Sequence, residues 1–319
     1  MFRVFQLNTR NVEMNLRYLK IEYLKENKFE GFIFGNSGVN GFPVSEASKL
    51  TGLKFYNFTV PNESPQGVYQ KFSWLINNQP VKHLILGESV FTQNIPTDLD
   101  HNNLVMFEHP EVSNESILSF YWRYLWVRPK RLASVFYSYF VKKDTWWKFD
   151  IKTGHYHFPI LENMIKVRNH EYIKNYRATF AVARNSKPNL SINKSQLKYL
   201  KRTIELAHEH NVRVTVINPP HAFESYKHIE LGVFKKWMKS MVSIVGELWD
   251  FSGSTSISKN PKMYFDTAHY AFEAGALALR RIFAPAHKSL KLHPDYGQKV
   301  TSGNVDKRLL IHQRVLEFY

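Results

Sequence analysis

Apolar residues recur along this chain in two rhythms. Over residues 11–27, Leu16, Leu19, Tyr23 and Leu24 fall on one face at helical spacing, which predicts a helix. The pattern then becomes continuous. Gly31-Phe32-Ile33-Phe34-Gly35 is a short unbroken apolar run ending in glycine, the mark of a buried strand followed by a turn. Lys54-Phe55-Tyr56-Asn57-Phe58 and His83-Leu84-Ile85-Leu86-Gly87 predict two more strands. Between them, residues 68–76 return to helical spacing with Tyr69, Phe72 and Leu75 or Ile76 on one side.

The same alternation resumes after residue 195. Leu197, Leu200, Ile204 and Ala207 form the inward stripe of a helix over 196–210, and Val212-Arg213-Val214-Thr215-Val216-Ile217-Asn218 is a strand closed by Pro219-Pro220. A helix over 234–244, a short strand at Leu248-Trp249-Asp250-Phe251 and a last core helix over 272–283 follow. Strands that are apolar on both faces and alternate with helices argue for a mostly parallel sheet covered on both sides. The expected fold is therefore α/β, a three-layer α/β/α sandwich of the flavodoxin-like kind.

Residues 93–195 break the rhythm and read as a helical insertion or cap. Its part from Ser116 to Phe149 is dense in aromatic and basic residues, among them Tyr121-Trp122-Arg123-Tyr124-Leu125-Trp126, Arg128, Lys130, Arg131 and Trp146-Trp147, with Pro129 as an interruption. Three roles suit it: a lid packing aromatic rings into the core, a set of aromatic faces for sugars, or a surface lying on an anionic membrane with Lys and Arg reaching outward. The segment at about 285–319 is expected to pack on the surface as a tail. A length of 319 residues fits two domains of ~150 residues, but with neither internal repeat nor low-complexity linker, residues 1–319 read as one domain with an insertion.

Composition narrows the chemistry. Hydrophobic residues make up 44% and charged residues 22%, as in an ordinary globular protein. There is no cysteine, which excludes a disulfide framework, a thiolate metal site and a cysteine nucleophile. No run of about 18 apolar residues is present, and residues 1–16 carry no apolar stretch of secretory length. The chain as written is thus expected in the cytoplasm. The 43 basic and 27 acidic side chains give a formal net charge of +16, a surface suited to nucleic acid, anionic lipid or acidic polysaccharide. No recognised nucleic-acid module accompanies it, so no specific nucleic-acid partner is expected.

Two short segments carry candidate chemistry. Gly35-Asn36-Ser37-Gly38 stands just past the C-terminal end of a buried strand, where α/β sheets place ligands. A serine there has an exposed hydroxyl, with backbone N–H groups near enough to hold an oxyanion. The same four residues also suit a plain turn. Near the other end, Asp266 and His269 lie three apart in Tyr264-Phe265-Asp266-Thr267-Ala268-His269. A serine hydroxyl attacks only when a base takes its proton. His269 suits that base, and Asp266 is spaced to fix its tautomer. Asp266 or Thr267 would equally serve as an N-terminal cap of the next helix.

Together the two segments resemble the SGNH/GDSL hydrolase superfamily, whose opening block Gly-Asp-Ser is here Gly35-Asn36-Ser37 and whose closing Asp-x-x-His is here Asp266 and His269, with Gly275 in the helix beyond. The resemblance implies Ser37 as nucleophile, His269 as base and Asp266 as orienter. It covers about residues 29–87 and 212–283. The middle blocks depart from the family. Asn62 stands where a glycine usually offers an oxyanion N–H, and Ser89, in Gly87-Glu88-Ser89-Val90, stands where an asparagine usually donates. Ser37, Asn62 and Ser89, flanked by Asn36 and Gly38, are the oxyanion and substrate-binding candidates. One missing donor costs about 2.7–4 kcal/mol in the transition state. The resemblance implies an esterase or O-acyltransferase acting on a carbohydrate ester, often acetyl, in bacterial surface-polysaccharide chemistry, or an inactive relative that binds polysaccharide or assists its assembly. It calls for no cofactor.

The fourteen histidines include no His-x-x-x-His or His-Glu-x-x-His helix pair, and His155-Tyr156-His157 lacks an evident third ligand, so no metal is expected. His221, after Asn218-Pro219-Pro220, reads as a surface histidine on a stiff loop, with pocket lining as the other reading.

Overall fold

The computed structural model describes residues 15–94, 106–125, 148–159, 190–284 and 296–318, with isolated positions at 137, 162, 163 and 165. Trp126, Arg128, Pro129, Lys130, Arg131 and Trp146-Trp147 of the aromatic and basic stretch lie outside the described residues, as does most of 160–189.

The apolar runs become strands β1 (Gly31–Phe34), β2 (Phe55–Asn57), β3 (His83–Gly87), β6 (Arg213–Asn218) and β7 (Glu247–Asp250). With β8 (Gln298–Thr301) they make a six-stranded sheet in the order β2-β1-β3-β6-β7-β8. All neighbours are parallel except β7 and β8. A separate antiparallel hairpin pairs β4 (Lys148–Phe149) with β5 (Tyr156–His157). The protein is thus mixed α/β with a mostly parallel central sheet.

Alternate strand residues feed two apolar clusters, because successive side chains leave a strand on opposite faces. Phe32, Phe34, Leu84, Leu86, Val216 and Leu248 join one cluster with α1 (Leu16–Glu26), α3 (Pro65–Asn78), α6 (Lys194–Glu209), α7 (Phe223–Tyr226) and α8 (Leu231–Val245). Ile33, Phe55, Ile85 and Ile217 join the other with α2 (Val44–Thr51) and α9 (Phe272–Phe283). Local signals set the helix starts. Asn15 caps α1 by accepting from the Tyr18 N–H, and Ser64 caps α3 with Pro65 at its first turn. In the region expected as an insertion, α4 (Pro110–Ser113) and α5 (Ile117–Leu125) are helical, whereas residues 148–157 form the hairpin instead.

Two expectations about burial are corrected. The inward stripe of α1 holds Leu16, Arg17, Lys20, Ile21 and Leu24, while Leu19 and Tyr23 are half-buried. Its buried cations find partners: Arg17 binds Glu108 at 2.7 Å, and the Lys20 ammonium donates to the carbonyls of Asn57 and Thr59. Residues 296–318 of the segment expected as a surface tail are instead integral to the fold. Strand β8 closes the sheet edge, with Tyr296 and Val300 fully buried, and α10 (Val305–Phe318) packs against α8. Buried Asp250, at the end of β7, accepts from Arg308 (2.7 Å) and His312 (2.8 Å) of α10 and from Asn218 of β6 (2.8 Å). Burial alone would raise the Asp250 carboxyl, but Arg308 and His312 overcome it and hold the group far below the usual range.

Strand order reverses at β1, which has β2 on one side and β3 on the other. That switch point opens a crevice at the carboxyl ends of β1 and β3.

Candidate active site

The chain leaves β1 through Gly35, whose φ of +143° suits glycine alone. A side chain there would strike Val39 and the Gly87 carbonyl. This close passage lets Ser37–Val39 form a 3-10 turn across the switch point. Asn36 caps the turn, its side-chain oxygen accepting from the Gly38 N–H at 2.9 Å. That N–H is therefore already engaged, and Gly38 is removed as a ready oxyanion donor. The Ser37 N–H, first in the turn, has no acceptor within it.

The second segment arrives with α9. Gly275 allows that helix to lie directly on the backbone of Gly41 and Phe42, where a Cβ would run into the Gly41 carbonyl. The turn before it is closed by the Phe265 N–H donating to the His269 carbonyl (2.8 Å). The Asp266 carboxylate then meets His269 Nδ1 at 2.7 and 2.9 Å through its two oxygens and accepts from the N–H groups of Ala268 (2.7 Å) and His269 (2.8 Å). Burial pushes the Asp266 carboxyl upward, but the bond to His269, its charge and the two N–H donors outweigh that and hold it below the ordinary range. Asp266 is an ionised partner for the ring at neutral pH.

Sequence-distant segments meet here. A Cβ on Gly38 would sit 3.3 Å from the Ala268 carbonyl, so the Ser37 turn and the Asp266–His269 turn touch. Among the described residues no hydrogen bond joins Ser37 to His269; catalytic hydrogen bonds commonly tighten only when substrate binds. Ser37 opens onto a cavity of about 170 Å3 lined by residues that include Gly38, Ser89, Phe91, Thr92, His221 and Ala268.

No protein-family model matches the chain, and a search of curated proteins finds no match.

Two further site residues are placed differently from expectation. Asn62 takes the left-handed backbone, with φ of +50°. It lines a separate polar cavity with Arg17, Glu63 and Glu108, and its carbonyl accepts from Arg17. The chain after β2 stays extended alongside β1, with Phe58 and Val60 bonding to Ile33 and Gly35, and this carries residue 62 past the Ser37 cavity. His221 is not a surface residue. It is buried, lines the Ser37 cavity and packs edge-on against Phe91 with ring centroids 5.2 Å apart. Burial pulls its imidazole down to about 4, against an opposing pull from Asp250, so the ring is neutral at pH 7. His155, the first residue of the His155-Tyr156-His157 stretch, is committed internally: its Nε2 accepts from the Val44 N–H at 3.2 Å.

Sequence reasoning missed Glu88. It is buried, and its Oε2 accepts from the Thr92 hydroxyl at 2.6 Å, one residue from Ser89 in the cavity wall. Burial pushes the Glu88 carboxyl up to about 7; the Thr92 bond pulls it back only in part, and nearby Glu63 adds to the rise. A carboxyl raised in the folded state destabilises the protein progressively as pH climbs from the unfolded value near 4.5 toward 7, because only the unfolded chain ionises freely there. Glu88→Gln removes this dependence. Its stability advantage over the wild type is expected to grow from near zero at pH 4.5 to roughly 3 kcal/mol at pH 8. Urea melts at both pH values check this, and a pH-independent difference excludes a raised Glu88.

Proposed function

We propose that this protein is an SGNH-type serine esterase or O-acyltransferase on a three-layer α/β/α framework. The observation that carries the reading is the Asp266–His269 pair packed against the Ser37 turn, beside a small cavity at the switch point of a parallel sheet. In this scheme Ser37 Oγ attacks an ester carbonyl while His269 Nε2 takes the hydroxyl proton, and Asp266 stabilises the imidazolium. The tetrahedral oxyanion is met by the Ser37 N–H and Ser89. The C–O bond to the alcohol breaks as His269 returns the proton to it, leaving an acyl group on Ser37. Water completes hydrolysis; a sugar hydroxyl completes transfer. The cavity beside Ser37 has room for a small acyl group such as acetyl. The net charge of +16 suits an acidic polysaccharide carrier or an anionic membrane surface.

A second reading is a polysaccharide-binding or assembly protein on the same framework without turnover. Asn62 lying in another cavity favours it, because one family oxyanion donor is then missing. A fluorophosphonate probe separates the two. The esterase reading expects covalent labelling at Ser37, hydrolysis of p-nitrophenyl acetate, and loss of both in Ser37→Ala. Folded protein that takes up no probe and retains glycan binding sinks the esterase reading.

A further inference from the structure

The β4–β5 hairpin lies beneath both halves of the site. Asn40 ties it to the Ser37 turn. The Asn40 N–H donates to the Ser37 carbonyl at 3.2 Å, its side-chain amide donates to the Tyr156 carbonyl at 2.7 Å, and its side-chain oxygen accepts from the Tyr156 N–H at 3.4 Å. Phe158, just past the hairpin, flanks His269 with ring centroids 6.4 Å apart. The Tyr156 ring is buried with Leu16, Val60 and Phe149. Its hydroxyl is buried with no hydrogen-bond partner, and the hydroxyls of Ser37 and Thr59 are among the groups that act on it.

We propose that Tyr156 is a positioning residue for Ser37, its phenolic O–H donating to Ser37 Oγ and turning that hydroxyl toward His269. The inference rests on Ser37 being the nucleophile. Three physical points support it. Burial drives the phenol well above its ordinary range, against smaller opposing effects of Ser37 and Thr59, so the group is a proton-bearing donor at any working pH. A buried hydroxyl without a partner destabilises a fold, and phenylalanine would fill the same space without that cost. A bond to Ser37 would supply the missing partner and settle the rotamer from which attack occurs.

Tyr156→Phe tests the idea while keeping the packing. Expected are a kcat on p-nitrophenyl acetate lower by about tenfold or more with KM within about twofold, a matching fall in the rate of fluorophosphonate labelling, and an unchanged or higher melting temperature. A kcat within twofold of wild type overturns the proposal, as does a joint loss of kcat, KM and melting temperature. A second measurement does not depend on turnover. In protein labelled at tyrosine Cζ with carbon-13, the Tyr156 signal, identified by its absence in Tyr156→Phe, is expected to move in Ser37→Ala. A signal indifferent to that change overturns the contact. A signal that moves in a protein that takes up no fluorophosphonate upholds the contact and removes only the esterase reading.

Discussion

On the proposed esterase reading, His269→Ala is expected to lower kcat for ester hydrolysis by on the order of 10^6-fold, with the protein still folded. The ring is the one base that the Asp266 carboxylate orients beside the Ser37 turn, and removing the base of such a unit costs about as much as removing its nucleophile. His269 is partly exposed on a tight turn rather than deep in the core, so its loss is not a folding defect. Asp266→Asn is expected to cost less, roughly 10^4-fold. The amide supplies one acceptor in place of two, leaving the tautomer of His269 poorly fixed, and it weakens the bonds from the N–H groups of Ala268 and His269 that shape the turn. Steady-state kinetics with p-nitrophenyl acetate measures both. A His269→Ala variant that keeps a tenth of wild-type kcat removes His269 from the proposed mechanism.

Acid is expected to unfold the protein between about pH 5 and 4. His83, His155 and His221 are all buried, and burial is the leading cause that pulls them down to about 4, 3 and 4 respectively. Nearby Arg213 lowers His83 further, and Lys20 and His157 lower His155. Their folded-state values lie below the unfolded value near 6.5. The stability tied to these neutral rings is complete above pH 6.5 and is lost as pH falls, since the unfolded chain takes up protons that the folded one refuses. At pH 4.5 the three together cost about 8 kcal/mol. Glu88 works the other way and regains about 3 kcal/mol over the same interval. The net loss of about 5 kcal/mol equals the whole stability of a modest domain. Tryptophan fluorescence against pH follows the transition. His83→Phe, which suits the space between Phe55 and Phe283, is expected to move the midpoint to lower pH. A protein still folded at pH 3 contradicts this account.

The parallel core was legible because strands buried on both faces leave continuous apolar runs, and β1 and β3 each reach a glycine at the sheet edge. The Ser37 and Asp266–His269 segments stood out because their spacing has a chemical meaning independent of fold. Other parts left weaker traces. Strand β8 offers one apolar inward residue, Val300, and α10 turns Arg308 and His312 inward, so no hydrophobic period marked either as part of the core. Asn62 was displaced by an extended continuation of β2 that no local residue preference announces. Tyr156 sits in a two-residue strand, too short for any periodicity. His221 looked like part of a stiff surface loop because Pro219-Pro220 precedes it, whereas Phe91 and the Tyr264 hydroxyl, which donates to the His221 carbonyl at 3.2 Å, enclose it from distant parts of the chain.

The hairpin under the Ser37 turn bears on how this protein could be trimmed. An engineer seeking a minimal scaffold would splice out residues 93–195, since every strand of the central sheet lies outside them. That deletion would take away Tyr156 and the partner of Asn40, and with them the ledge on which the opening loop rests. The shortened polypeptide would still spell out serine, aspartate and histidine, but the first of them would have lost its support from below.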